Sequence, residues 1–170
     1  MNRILVLGST GYVGSRLVPR LLDVGYRVRA GWRTRSKLEE QPWKNNPSLE
    51  TVHVDVLNYD ELKHAMENCD VVFYLIHSMY SGKDFEEMDK KAATSIASLS
   101  DELGIKRIVY LSGLGKQDDD LSKHLRSRKE VDKILRTSKT PITTFQAAMI
   151  IGPGSASFEI MRYLVDRLPV

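Results

Sequence analysis

An open, doubly wound α/β sheet of parallel strands is the architecture this sequence predicts, and three observations predict it. Short apolar runs alternate with helical patterns from one end to the other. Gly8, Gly11 and Gly14 follow the first apolar run, Ile4-Leu5-Val6-Leu7, without a gap. Gly25 and Gly104 stand where two of the helical patterns stop, the place a helix C-terminus favours glycine. Strand–helix alternation of this kind makes right-handed β-α-β crossovers and a sheet covered on both faces.

The apolar runs place strands at about 3–7, 27–32, 50–54, 70–76, 106–112 and 142–147. Their spacing predicts a sheet of about six strands in the order 3-2-1-4-5-6. Helical periodicity falls at about 12–24, 59–67, 84–103, 122–137 and 157–168, with a short turn around Ser36–Glu40. Asn58, Asp60 and Glu61 suit a helix start. In the last pattern Phe158, Met161, Leu164, Val165 and Leu168 share one helical face.

A chain of 170 residues can bury a real core, and 1–170 reads as one domain. Its hydrophobic and charged fractions, 42% and 28%, are those of an ordinary globular protein. A net charge of +3 is too small to point to nucleic acid, and no apolar run reaches membrane-spanning length. The single cysteine, Cys69, cannot close an internal disulfide, which suits a reducing cytoplasm. The four histidines are dispersed and no carboxylate cluster joins them, so no metal site is expected. Oligomeric state is left open.

Gly8, Ser9, Thr10, Gly11, Tyr12, Val13 and Gly14 form the expected cofactor loop. Gly8 allows a tight turn, Gly11 clears the phosphates, and Gly14 lets the new helix pack close to the strand. The helix N-terminus then presents N–H groups and partial positive charge to a pyrophosphate. The dinucleotide's second determinant lies at the end of the second strand, where an NAD site carries Asp or Glu for the ribose 2′-hydroxyl. Here Val28-Arg29-Ala30-Gly31-Trp32-Arg33 ends without an acid. Arg33 can fork onto a 2′-phosphate, and Arg35, Ser36 and Lys37 can add contacts. A solvated basic loop is the plainer reading of the same residues. On balance NADP(H) is favoured over NAD(H).

The spacing G-x-x-G-x-x-G, with Ser9-Thr10 inside it, resembles the short-chain dehydrogenase/reductase superfamily over the whole chain. The likeness is to its extended and atypical branches, which include NAD(P)-binding epimerases/dehydratases and NmrA-like proteins with a Rossmann domain. The resemblance implies that Asp55 takes the adenine amine and Val56 packs on the ring, although Asp55 reads equally well as a turn residue. It implies that backbone at Leu75 and Ile76 passes the phosphate and nicotinamide ribose. His77, alone at a strand end, reads as structural or as a cofactor neighbour, and Tyr80 as a loop aromatic.

Ser112 fills the family's serine position on the fifth strand. The family then reads Tyr-Gly-Arg-Ser-Lys-x-Glu, where this chain has His124-Leu125-Arg126-Ser127-Arg128-Lys129-Glu130. His124 thus stands at the tyrosine position and Arg128 at the lysine position, four apart on one helix face. Arg128 can hold a ribose hydroxyl or a phosphate but cannot relay a proton, and His124 can serve as acid or base; the plainer reading makes both polar residues on a half-exposed helix. Gly152-Pro153-Gly154 matches the family's segment over the nicotinamide, while Gln146 and Ala147 replace its Arg and Pro.

Two functions follow. One is an oxidoreductase or nucleotide-sugar-epimerase-like protein acting on an unidentified small molecule. The other is an NADP(H)-binding redox sensor or structural module without turnover. The family continues into a substrate-binding portion, which is expected to lie outside these 170 residues.

Overall fold

The computed structural model describes residues 2–76, 85–114 and 122–168. Six strands form one parallel sheet: β1 (Arg3–Leu7), β2 (Arg27–Trp32), β3 (Leu49–His53), β4 (Val71–Tyr74), β5 (Arg107–Gly113) and β6 (Ile142–Ala147). Their order is β3-β2-β1-β4-β5-β6, as the alternation of runs predicts. Registers such as Leu5↔Arg29 and Leu5↔Val72 put β1 at the centre. Six helices connect the strands: α1 (Gly14–Asp23), α2 (Arg35–Glu39), α3 (Tyr59–Met66), α4 (Phe85–Glu102), α5 (Lys123–Leu135) and α6 (Ala156–Val165).

The core lies in two layers, one on each sheet face. Leu5 and Leu7 join Leu62, Met66, Ile96, Leu99 and Leu135 on the α3–α4–α5 face. Ile4 and Val6 join Val18, Leu21, Leu38 and Trp43 on the α1–α2 face. Burial on both faces is why β1 reads as an unbroken apolar run. Gly25 and Gly104 take φ of +86° and +66°. Each ends its helix in a Schellman turn, with Tyr26 N–H donating to Leu21 O and Ile105 N–H to Ser100 O. Asn58 caps α3 by accepting from the N–H groups of Asp60 and Glu61.

Several boundaries differ from the expectation. Helix α1 begins at Gly14 rather than at residue 12, because Tyr12 and Val13 complete the turn out of β1. Strand β4 stops at Tyr74, although Leu75 N–H still donates to Leu7 O. The apolar face expected of α6 does not pack against the sheet, and no residue of α6 is buried.

Two interior contacts have no signature in the sequence pattern. Arg29 does not join the basic surface of its neighbours: it is 6% exposed. Its Nη1 donates to the carbonyls of Ala65 and Glu67 at 2.8 Å, and its Nη2 pairs with Glu50 at 3.0 Å. Arg29 therefore ties the C-terminus of α3 to β2 and β3. The second contact concerns Pro19, which lies inside α1 and has no N–H for Ser15 O. Trp43 Nε1–H donates to that carbonyl instead, at 3.0 Å.

Candidate functional site

The C-terminal ends of β1, β4 and β5 open onto a cavity of about 370 Å³. Gly8, Gly11, Tyr12, Val13 and Gly14 form one wall. Ser112, His124 and Arg128 form the wall facing it, and Ala147, Ala148 and Ile150 close a third side. This is the position at which a doubly wound sheet takes its ligand, where the strand order reverses beside β1.

The glycine loop owes its shape to close approach. Gly8 has φ +87°, and a Cβ on Gly14 would lie 2.2 Å from Gly8 O and 2.7 Å from Ser9 Cα. No side chain short of glycine lets α1 start so near β1. A Cβ on Gly11 would press on Gly8 O at 3.3 Å and meet no other atom within 4 Å, and Gly11 lines the cavity. No side chain caps α1 and its first turn holds no acid, which leaves its partial positive charge for an anion. A flat loop, an uncapped helix and a cavity beside them fit a dinucleotide pyrophosphate.

The expected cofactor residues do not all turn toward the cavity. The Ser9 side chain is fully buried, and its hydroxyl donates to Gly31 O at 2.8 Å. Ser9 thus fastens the loop to β2. Thr10 lies in the turn, half-buried. Leu75 lines the cavity, whereas Ile76 packs beneath Gly8. Val56 is buried in the core. Asp55 Oδ1 accepts from Leu57 N–H at 3.0 Å, and its own N–H donates to Glu61 Oε2 at 2.9 Å. Arg33, Arg35 and Ser36 are exposed beyond β2, outside the cavity, and Arg35 pairs with Glu39 at 3.6 Å. His77 and Tyr80 lie outside the described residues.

At the opposite wall, Ser112 is buried near the Tyr110 phenol, whose hydroxyl donates to Arg128 O at 3.5 Å. Burial pushes the Tyr110 hydroxyl up to about 12, against the opposing pull of the Arg128 charge and Ser112. Tyr110 therefore stays neutral and structural, stacked on Tyr74 with ring centroids 5.6 Å apart. Arg128 Nη1 donates to Leu111 O at 3.1 Å, which holds α5 on β5. Ser127, its neighbour, donates to the buried Asp89 on α4. His124 is exposed and stacks on Phe85, centroids 4.7 Å apart. Among the described residues no group of three or more His, Cys, Asp or Glu side chains could hold a metal.

Sequence reasoning missed Ser155 and Arg16. Ser155 lines the cavity and caps α6 through Phe158 N–H, a role that its place ahead of an apolar run does signal. Arg16 bridges to Pro153, and no local pattern announces a contact 137 positions apart.

A sequence profile for proteins described as NAD(P)H-binding matches residues 8–161. The chain belongs to this NAD(P)H-binding family. A 3-beta-hydroxysteroid dehydrogenase of Mycolicibacterium neoaurum is 28% identical over 69% of this chain and 35% of its own length. The mitochondrial NADH dehydrogenase [ubiquinone] 1 alpha subcomplex subunit 9 of Mus musculus is 27% identical over 94% of this chain and 42% of its own. The NAD(P)H-binding chain thus spans well under two thirds of these relatives. A putative NAD-dependent epimerase/dehydratase from Bacillus halodurans superposes with a TM-score of 0.78 at 23% identity, over 92% of this chain and 74% of that one. The Bordetella bronchiseptica enzyme WbmH, solved with NAD+, gives 0.79 at 18% identity over 98% and 62%. These two structures share the fold. Among the described residues, no helix of this NAD(P)H-binding chain is long and apolar enough to cross a membrane.

Proposed function

We propose that this domain binds NADP(H) in preference to NAD(H) and serves an oxidoreductase or epimerase-like protein whose acid–base group is His124. The supporting observation is one cavity bounded by the glycine loop on one side and by Ser112, His124 and Arg128 on the other. A nicotinamide bound there supplies or takes up a hydride. In this reading the Ser112 hydroxyl orients a substrate carbonyl. His124, its plane steadied by Phe85, exchanges the accompanying proton with that oxygen. Arg128 keeps N–H donors beyond the one on Leu111 O and holds a ribose hydroxyl or phosphate.

The preference for a 2′-phosphate rests on Arg33, exposed beyond β2 in a chain with no acid at that strand's end. Asp55 and Val56 are assigned to the adenine edge, with Arg35 and Ser36 beside the phosphate. The curated relatives are longer than this chain, which supports a substrate-binding portion outside these residues. The lone buried Cys69 supports a reducing compartment, the cytoplasm. Binding without turnover is the second reading. It is favoured by Arg128, which spends a donor on the Leu111 backbone where the family's lysine grips ribose.

The test is calorimetric titration with NADPH and NADH, repeated on Arg33→Ala. The expected result is an NADPH preference of about tenfold or more, lost in the variant. Equal affinity for both cofactors in the parent protein overturns the 2′-phosphate assignment. Binding of neither overturns the whole reading.

A further inference from the structure

Arg16 stands in the first turn of α1 and makes three contacts at once. Its Nη1 donates to Tyr12 O at 3.0 Å, and its Nη2 donates to Pro153 O at 2.9 Å. The guanidinium carbon lies 3.8 Å from the centroid of the Tyr12 ring, a cation–π stack. The Tyr12 phenol in turn abuts the turn that Pro153 belongs to. A Cβ built on Gly152 would lie 2.3 Å from Tyr12 Oη but 3.6 Å from Cζ, so the hydroxyl alone demands glycine there.

The turn is wound on itself before it meets the loop. Ser155 N–H donates to Gly152 O at 3.0 Å, and Ser155 Oγ donates to Ile150 O at 2.8 Å. The same hydroxyl caps α6 by accepting from Phe158 N–H at 3.1 Å. Ile150 and Ser155 line the cavity opposite the glycine loop. Tyr12 and Arg16 thus join a pre-shaped turn to the loop across the mouth of the site. A wall that is already docked spares the ligand the cost of ordering it.

We propose that Arg16 and Tyr12 form a clamp that fixes the Gly152–Gly154 turn on the glycine-rich loop and so sets affinity for the nicotinamide half of the dinucleotide. Arg16 is a positioning residue in this clamp. The proposal rests on dinucleotide binding and goes beyond it by dividing the ligand. The adenine half is assigned to the exposed ends of β2 and β3, where this turn is not involved. The clamp therefore acts on one half only.

The deciding experiment compares the whole dinucleotide with its adenine half by calorimetry. For Arg16→Ala, NADPH is expected to weaken about tenfold while adenosine 2′,5′-bisphosphate stays within about twofold. If NADH is the tighter cofactor, NADH and 5′-AMP replace them. Equal loss on both ligands, or loss on neither, overturns the clamp. A second pair of variants tests the contact itself. Gly152→Ala is expected to weaken NADPH, and Gly152→Ala with Tyr12→Phe to recover it, because only the hydroxyl collides. Failure of that rescue overturns the contact. Hydrogen exchange on ligand-free protein separates this proposal from the functional reading. Arg16→Ala is expected to speed exchange of the amides of 152 and 154–158 and leave β1 unchanged, whether or not a dinucleotide binds. Unchanged exchange in a protein that still binds NADPH overturns the clamp alone. A parent protein that binds no dinucleotide overturns the functional reading and the clamp's role in affinity together.

Discussion

The indole of Trp43 performs a task that belongs to a backbone amide, and a double-mutant cycle with Pro19 measures it. Pro19 cannot donate to Ser15 O, and Trp43 Nε1 occupies that acceptor at 3.0 Å. In Trp43→Phe the carbonyl loses its partner, at a cost of about 1–2 kcal/mol. The site is 6% exposed, so the lost indole volume adds about 1–2 kcal/mol more. The single variant should therefore lose about 2–4 kcal/mol, a large part of a total that is ordinarily about 5–15 kcal/mol. With Pro19→Ala already present, residue 19 regains an N–H and completes the helix bond to Ser15 O. Trp43→Phe then costs only its packing part. The cycle isolates the hydrogen bond, because the packing loss and the unfolded-state effect of proline appear in both arms and cancel. A coupling of about 1–2 kcal/mol is expected. The assay is urea unfolding followed by far-ultraviolet circular dichroism, accepted only where the slope is common to all four proteins. Additivity within about 0.5 kcal/mol would refute the substitution of indole for amide.

Two further outcomes follow from ionic contacts. Arg29→Met should cost about 3–5 kcal/mol, since it strips the carbonyls of Ala65 and Glu67 of a buried charged donor, whereas Glu50→Gln should cost less than about 1 kcal/mol because Glu50 is half exposed; thermal midpoints of the two variants in the reverse order would sink the assignment. Asp70 is held below the usual carboxylate range by Lys106 first and then by the Arg3 N–H. A depressed native value means that its contribution is present above about pH 4 and is lost as pH falls through that lower value. The urea midpoint of the parent protein should exceed that of Asp70→Asn near pH 6 and converge on it toward pH 2, and a gap that ignores pH would show that Asp70 acts only through shape.

Most of the fold was legible because its signals are local. Leu5 and Val6 carry opposite sheet faces in consecutive positions, which is what a run buried on both sides looks like. Gly25 and Gly104 mark helix ends because a left-handed residue is needed there, whatever the tertiary structure. The glycine loop was legible for the same reason, since Gly14 answers to atoms of Gly8 and Ser9 close by in the chain. What could not be read depends on distant partners. Arg29 looks like Arg27 and Arg33 in a basic stretch, and only the end of α3 beneath it makes it an interior residue. Ser9 looks like a phosphate ligand until β2 supplies Gly31 O. The apolar face of α6 is legible in its periodicity, but periodicity says nothing about what lies against it.

The two rims of the sheet differ in a way that bears on colloidal behaviour. Strand β3 closes one rim with the ionic side chain of Glu50 and with His53, which pairs with Glu61 at 3.1 Å. Charge on an edge strand discourages pairing with another molecule's edge. Strand β6 closes the other rim with Phe145 exposed, and Ile151 ahead of α6 and Ile160 and Val165 on it are exposed as well. The β6 rim therefore carries exposed large apolar side chains, and among the described residues the β3 rim carries none. Apolar contact is little screened by salt and weakens on cooling, so self-association through this rim, where it occurs, is expected to answer to temperature rather than to ionic strength, a dependence that light scattering reads.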